Sequence, residues 1–516
     1  MTFTNSTLPL LVGSGKVVQA SYRDPLISSY RNNPLIEALP QILSSEEVIS
    51  SIASYPSYDD TERFLPLHLR LHLAQNVLHF FQPLPIHLDL EARFSRLIRG
   101  GYQFRNPIQI YFWKNSFSAL SAFDNNEFPP NYMYTSAYGF TIIGISGIGK
   151  TTAISAILSL YPQVIIHSCY KNKNFTHSQI VWLKLDCPFD GSIKGLCLNF
   201  FQAVDEILKT NYSKNYVSSR RTVDELIPSM ARVASLHCIG VLVIDEIQHL
   251  NEAKSGGANK MLNFFVQLVN TIGVPVVLVG TYKAMSVLSG EFRQARRGSG
   301  QGDLIWDSME EDDVWQLFIE SLWRYQYARK PCPLTSSLCH ALYESSGGIT
   351  DFAVKIYMLA QIRAMTTESE IINEGVIKSV AADSLRLARP ILDALKTSNV
   401  KALYNIDDVY PTDITSVIKS TTNNIKVSGK LSSSPAVKQT LASSDLTTME
   451  ICEEQKLDLK KEQQKPIKNT KKKPNQDGLL AVNNSKSHNK FTAYEQLKSM
   501  GYIRPATEFI NLYKDK

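Results

Sequence analysis

Gly144, Gly149, Lys150 and Thr151 stand in the spacing G-x-x-x-x-G-K-T, between the apolar run Phe140-Thr141-Ile142-Ile143 and the helix-favouring run Ala153 to Leu158. This order predicts a strand, a phosphate loop and a helix. Gly147 and Gly149 let the backbone curl so that successive N–H groups point inward, at a helix N-terminus whose dipole favours anions. The expected nucleotide contacts are Gly144, Ser146, Gly147, Ile148, Gly149, Lys150, Thr151 and Thr152. Lys150 would reach the β- and γ-phosphates, and Thr151 would place its hydroxyl on a magnesium ion.

The second chemical landmark is the apolar run Val241-Leu242-Val243-Ile244, which ends in Asp245-Glu246. Alone, two acids at the end of an apolar run describe any strand that exits into water. Downstream of a phosphate loop they fit a division of labour, with Asp245 holding the metal and Glu246 polarising the attacking water. A third apolar run ends in Gly280-Thr281, where Thr281 is either a polar sensor of the γ-phosphate or a turn residue capping the next helix. Arg293, Arg296 and Arg297 follow, placed to reach a phosphate across a subunit boundary or to complement the C-terminal dipole of their own helix.

The elements that must position these groups alternate along the chain. Strands are predicted at 139–143, 164–167, 181–185, 240–244 and 274–279, with helices at 195–208, 223–236 and 259–272. Short apolar strands separated by helices indicate an α/β fold with a parallel sheet flanked by helices, and ligands in such sheets sit at the carboxyl ends of the strands. Residues 310–400 read as helical, a small lid after an α/β nucleotide domain at 111–309. Ahead of them, 1–110 form an N-terminal extension. It includes an amphipathic helix with Arg93, Arg96 and Arg99 on one face, which Gly100-Gly101 should stop. His68 and His72 are four apart but have no third ligand at helical spacing, which favours a packing or surface role over a metal. Residues 401–490 turn to Ser, Thr, Lys and Asn, a largely disordered tail, and apolar anchors return in 491–516, as in a tethered docking peptide.

The chain has 516 residues, 44% of them hydrophobic, a net charge of +6 and seven cysteines without C-x-x-C spacing. Such a length accommodates roughly two to four domains. The cysteine pattern indicates neither a disulfide framework nor a zinc site, and no apolar run is long enough to span a bilayer. A soluble cytoplasmic protein is expected.

The loop GISGIGKTT, the stretch Leu183-Lys184-Leu185-Asp186-Cys187, the run DEIQHL, the segment GGANKMLNFF and the N-terminal YRNNPLIEALP together resemble the TnsC family of AAA+ ATPases. Those proteins regulate target choice in Tn-seven-type bacterial transposons. The loop and acid strand are common to many ATPases. YRNNPLIEALP, and DEIQHL with GGANKMLNFF, are far more discriminating. The resemblance covers roughly residues 18–400 and the extreme C-terminus.

It implies an AAA+ fold, ATP and Mg2+, ATP hydrolysis as a switch, and a homo-oligomer, ring or filament, on double-stranded DNA in the bacterial cytoplasm. The partners it implies are the TnsA and TnsB transposase subunits and a target selector of the TnsD or TniQ type. The extension would dock that selector, and 491–516 the transposase. A regulator accepting many targets should grip phosphates, with Lys171, Lys173, Lys194, Arg220 and Arg221 as candidates. After Gly347-Gly348 the sequence runs Ile349-Thr350-Asp351, where many AAA+ relatives carry an arginine facing the nucleotide, and Lys355 is the nearest cation. The alternative is another AAA+ machine, an initiator or helicase loader, sharing sheet, acids and lid but not the two ends.

Overall fold

A computed structural model describes residues 15–114, 138–217, 221–252, 273–288, 301–367, 370–385 and 388–396, with a few positions between 262 and 269. The strands are β1 (Val17–Gln19), β2 (Phe140–Gly144), β3 (Val164–Tyr170), β4 (Lys173–Ile180), β5 (Trp182–Asp186), β6 (Val241–Asp245), β7 (Val276–Gly280) and β8 (Leu304–Trp306). Five of them form one sheet in the order β5-β6-β7-β2-β8. Every pairing in it is parallel, with Asp186 opposite Asp245, Ile143 opposite Gly280 and Gly144 opposite Trp306. Parallel register brings the carboxyl ends of all five strands to one edge, where the phosphate loop begins. β2, β6 and β7 are buried along their whole length, as their unbroken apolar sequences require.

The expected strand at 164–167 is longer and lies outside this sheet. β3 pairs antiparallel with β4 and parallel with β1 in a separate three-stranded sheet. The reason is local: Lys171 and Asn172 adopt left-handed φ of 48° and 62°, the twist a two-residue hairpin needs. β4, of sequence KNFTHSQI, has no apolar run to betray it, and the three-residue β8 is too short to read from periodicity.

The helix Pro85–Gln103 belongs to the core of the α/β domain. Phe94 meets Phe140 edge to face at 5.6 Å, and the buried Tyr102 hydroxyl donates to Cys238 O at 2.9 Å. Its arginines form no uniform basic face, because Arg99 is buried and donates to Ser95 Oγ and Pro40 O. Nor does Gly100-Gly101 stop the helix, which runs on to Gln103. A Cβ on Gly101 would come within 2.5 Å of Pro275 Cγ, so glycine there permits a close helix approach.

The motif YRNNPLIEALP is also interior. Leu35, Ile36 and Leu39 are buried, Asn33 Nδ2 donates to Tyr102 O at 2.8 Å, and Glu37 Oε2 accepts from Tyr170 at 2.8 Å.

The lid comprises the helices Asp313–Trp323, Ser336–Ser346, Thr350–Thr366, Glu374–Ser384 and Arg389–Lys396. Asp312, Thr335 and Asn373 cap three of them through side-chain oxygens. The extension reaches back to this lid. Arg70 is buried and makes a bidentate pair with Glu370, 2.9 Å to each oxygen, while Tyr58 donates to Gln326 O at 2.8 Å. No helix among the described residues is long and apolar enough to cross a membrane. The expected linker 401–490 and docking segment 491–516, and most of the expected helix 259–272, lie outside the described residues.

Candidate nucleotide site

The phosphate loop begins where β2 ends. A Cβ on Gly144 would sit 2.3 Å from Trp306 O, so β8, invisible in the sequence, is one reason for glycine at that position. Gly147 and Gly149 have φ of +82° and +98°, a backbone in which L side chains are strained. Ile148 between them is buried, which anchors the loop, and the helix Lys150–Leu158 follows at once. The Lys150 ammonium donates to Gly144 O and Ile145 O, 2.9 Å each, on the concave side of the loop.

The helix and the acid strand meet through Thr151 Oγ1, which donates to Asp245 Oδ2 at 2.9 Å. Two hard oxygen donors brought together from distant parts of the chain suit a divalent magnesium ion, which takes one or two protein oxygens and keeps the rest of its shell for phosphate and water. The loop, with two left-handed glycines and a lysine, suits a polyphosphate. Lys184 of β5 lies 3.1 Å from the same Asp245 oxygen and 2.9 Å from Asp186 Oδ1. Burial works against its charge, but the two carboxylates outweigh that and hold its pKa above the ordinary lysine value. Sequence reading missed Lys184 as a site residue. Its only signal is its place two residues before the end of a strand that turns out to neighbour β6.

Glu246 stands in the left-handed region at φ +58°, and its N–H donates to Asp245 Oδ1 at 3.0 Å. Its carboxylate accepts from Gln248 Nε2, and Gln248 Oε1 accepts the Thr281 N–H at 3.2 Å. Asp245, Glu246 and Thr281, predicted separately, are thereby connected. Thr281 occupies the N-cap of the short turn Tyr282–Ala284, yet its side chain makes no capping bond. The turn-capping alternative therefore does not account for the hydroxyl.

A cleft of about 360 Å³ opens beside the loop, between the extension and the lid, lined among others by Ile148, Thr152, Phe81, His87, Trp306 and Thr350. Its walls are mostly apolar, and the acids Asp307, Glu310, Asp312 and Asp351 also line it. His87 is buried, accepts the Leu84 N–H at Nδ1, and is pushed down to about 4 by burial, so it is a neutral imidazole beside Trp306. The lid closes on the loop directly: Thr350 Oγ1 donates to Ile148 O at 3.2 Å and Asp351 N to Gly147 O at 3.4 Å. Lys355, on the same lid helix, pairs with Asp351 at 2.6 Å.

Lys171 and Lys173 flank the tip of the β3–β4 hairpin, and Lys171 donates to Asn32 Oδ1 at 2.5 Å. Lys194 stands in the first turn of the helix Ile193–Leu208 and donates to Arg221 O at 3.1 Å, while Arg221 lies over the Tyr216 ring. These cations occupy two different elements. Arg220, Arg293, Arg296 and Arg297 lie outside the described residues.

A five-stranded parallel sheet with a phosphate loop after β2, a carboxylate pair after β6 and a helical lid defines the AAA+ P-loop NTPase fold. Residues 135–288 match the family model described as an AAA domain. No curated protein matches the chain. Among solved structures it is similar to Cdc6p from Pyrobaculum aerophilum, at 13% identity and a TM-score of 0.38, covering 72% of this chain and 90% of that one. It is also similar to the Walker-type ATPase of Pyrococcus abyssi, at 14% identity and a TM-score of 0.31 over 56% and 76% of the two chains. A third is Drosophila ORC bound to DNA, at 11% identity and a TM-score of 0.34 over 78% and 87%.

Proposed function

We propose that the chain is an ATP hydrolase whose nucleotide state controls its assembly on duplex DNA, a transposition regulator of the TnsC kind. The observation that carries the ATPase reading is the 2.9 Å contact of Thr151 Oγ1 with Asp245 Oδ2, which brings loop and acid strand together where a magnesium ion would sit. Bound Mg2+ would neutralise phosphate charge and hold the triphosphate in register. Lys150 binds the β- and γ-phosphates once it leaves its own loop carbonyls. Backbone N–H groups of the loop and of the first turn of the following helix take the remaining phosphate oxygens, and the cleft beside Trp306 takes the base. Glu246 orients the attacking water, with Thr281 at the γ-phosphate. Arg293, Arg296 or Arg297 of a neighbouring copy completes the site in a homo-oligomer, ring or filament.

The finer reading rests on the sequence resemblance, above all YRNNPLIEALP and DEIQHL. On that reading Lys171, Lys173, Lys194, Arg220 and Arg221 contact phosphates of double-stranded DNA. A selector of the TnsD or TniQ type docks on the extension, and residues 491–516 engage TnsA and TnsB. ATP turnover and DNA retention, measured from low to moderate salt, test the core claim. Affinity should fall steeply with salt and change little with sequence. A salt-independent affinity overturns DNA grip through phosphates. Pull-down of the transposase subunits rather than replication proteins separates a transposition regulator from an initiator or helicase loader.

A further inference from the structure

Gln248 is 2% exposed, and both ends of its amide are committed. Its N–H group donates to the Glu246 carboxylate, and its oxygen accepts the Thr281 N–H at 3.2 Å. The two partners fix which end is which, because a carboxylate cannot donate and a backbone N–H cannot accept. Room for the amide is built in. A Cβ on Gly280 would stand 3.0 Å from Gln248 Oε1 and 2.8 Å from Ile247 Cγ1. Glu246 itself is held in the left-handed region at φ +58°, a conformation that a non-glycine residue keeps only where its surroundings enforce it.

Resting on the ATPase reading above, we infer that Gln248 is a positioning residue, a rigid link that ties the carboxylate of the water-orienting Glu246 to the end of β7. Thr281 closes that strand at the place where a γ-phosphate would be met. A shift of the Thr281 backbone therefore moves the amide, and the amide moves the carboxylate. The direction of the water-orienting acid then depends on whether the strand end is engaged. A role confined to fastening the turn Ile247–Glu252 onto β7 would give the same two hydrogen bonds but would not make turnover depend on the donor end of the amide in particular.

Gln248→Glu separates these, since it keeps the shape and the acceptor for Thr281 while replacing the donor to Glu246 by a second acceptor. Gln248→Met removes both bonds at similar volume. The test is turnover with saturating ATP, affinity for a non-hydrolysable ATP analogue, and melting temperature, on the full chain, for the wild type, both variants, Glu246→Gln and the double variant Gln248→Glu with Glu246→Gln. The expected result is that kcat falls at least about tenfold in Gln248→Glu and Gln248→Met, with analogue affinity within about twofold in both, while the melting temperature falls further in Gln248→Glu, which buries a second carboxylate against Glu246, than in Gln248→Met. In the double variant no loss beyond that of Glu246→Gln is expected, because the two residues act as a unit. Wild-type turnover in Gln248→Met, losses that multiply in the double variant, or a fall of analogue affinity together with kcat in Gln248→Met overturns the inference. A wild-type chain that does not hydrolyse ATP, or Glu246→Gln at the wild-type rate, overturns the ATPase reading instead and takes this inference with it.

Discussion

The ammonium of Lys184 lies 3.1 Å from Asp245 Oδ2, the same oxygen that accepts the Thr151 hydroxyl. Asp245 is buried at the end of β6, and Lys184 reaches it from β5, one strand over. A buried carboxylate needs a partner, and a magnesium ion would compete with the lysine for this one.

Lys184→Met should therefore lower stability without Mg2+ by roughly 3 kcal/mol, the usual cost of breaking a buried pair from one side. The same variant should bind Mg2+ more readily in the presence of nucleotide, since a competing cation is gone. Denaturant melts with and without Mg2+, and Mn2+ titration of the nucleotide complex, check both. A variant as stable as wild type in chelator would contradict this account.

Lys150→Ala should lose nucleotide binding, whereas Glu246→Gln should retain ATP and stay in its assembled state. On the proposed reading Lys150 would act on phosphate in the ground state, and Glu246 chiefly on the water in the transition state. Filter binding and sizing in ATP distinguish them. Equal loss of ATP binding in the two variants would show that the roles are assigned wrongly.

The contact between Arg70 and Glu370 joins the N-terminal extension to the lid, with the arginine 1% exposed and the carboxylate 14%. Burial pushes the Glu370 carboxyl up, but hydrogen bonds from Arg70 and from the Arg329 backbone outweigh it and hold the pKa below the ordinary glutamate value. Arg70→Met strands that carboxylate, and a loss of about 3–5 kcal/mol is expected in chemical denaturation at neutral pH. Because the folded pKa is depressed, the pair's contribution is complete above the unfolded value and is lost as pH falls through the folded one. The deficit of Arg70→Met relative to wild type should shrink in acid.

His87 supplies a second pH dependence. Its folded pKa is pushed down to about 4 by burial, against an ordinary value of 6.5, so between these values the unfolded chain takes up the proton more readily. Stability is complete above pH 6.5 and falls as pH drops toward 4, by up to about 3 kcal/mol from this group. His177, also pushed down to about 4, adds to the same slope. His87→Gln removes the titration and can still accept the Leu84 N–H. Urea midpoints at pH 7 and pH 5 should differ less in His87→Gln than in wild type, and an unchanged difference would mean that the imidazole is not the group responsible.

The sequence by itself determined what depends on neighbouring residues along the chain. Gly147 and Gly149 announce a left-handed loop because only glycine enters that region without strain, and Asp245-Glu246 announces a strand end because two adjacent acids break the run of apolar residues that a buried strand needs. The lid helix Asp313–Trp323 begins and ends as its cap and apolar spacing require. Tertiary structure alone decided what depends on partners far away in the chain. Which strand neighbours β6, and hence that Lys184 faces Asp245, follows from sheet order, which periodicity does not encode. The polar β4, the three-residue β8 and the arginines of the helix Pro85–Gln103 carry no local mark of their burial or pairing. Gln248 reads as one more polar residue in a turn until folding brings Thr281 to its other end. The physical reason is that a backbone conformation is chosen within a few residues, whereas desolvation and charge pairing are decided by whatever the folded chain places alongside.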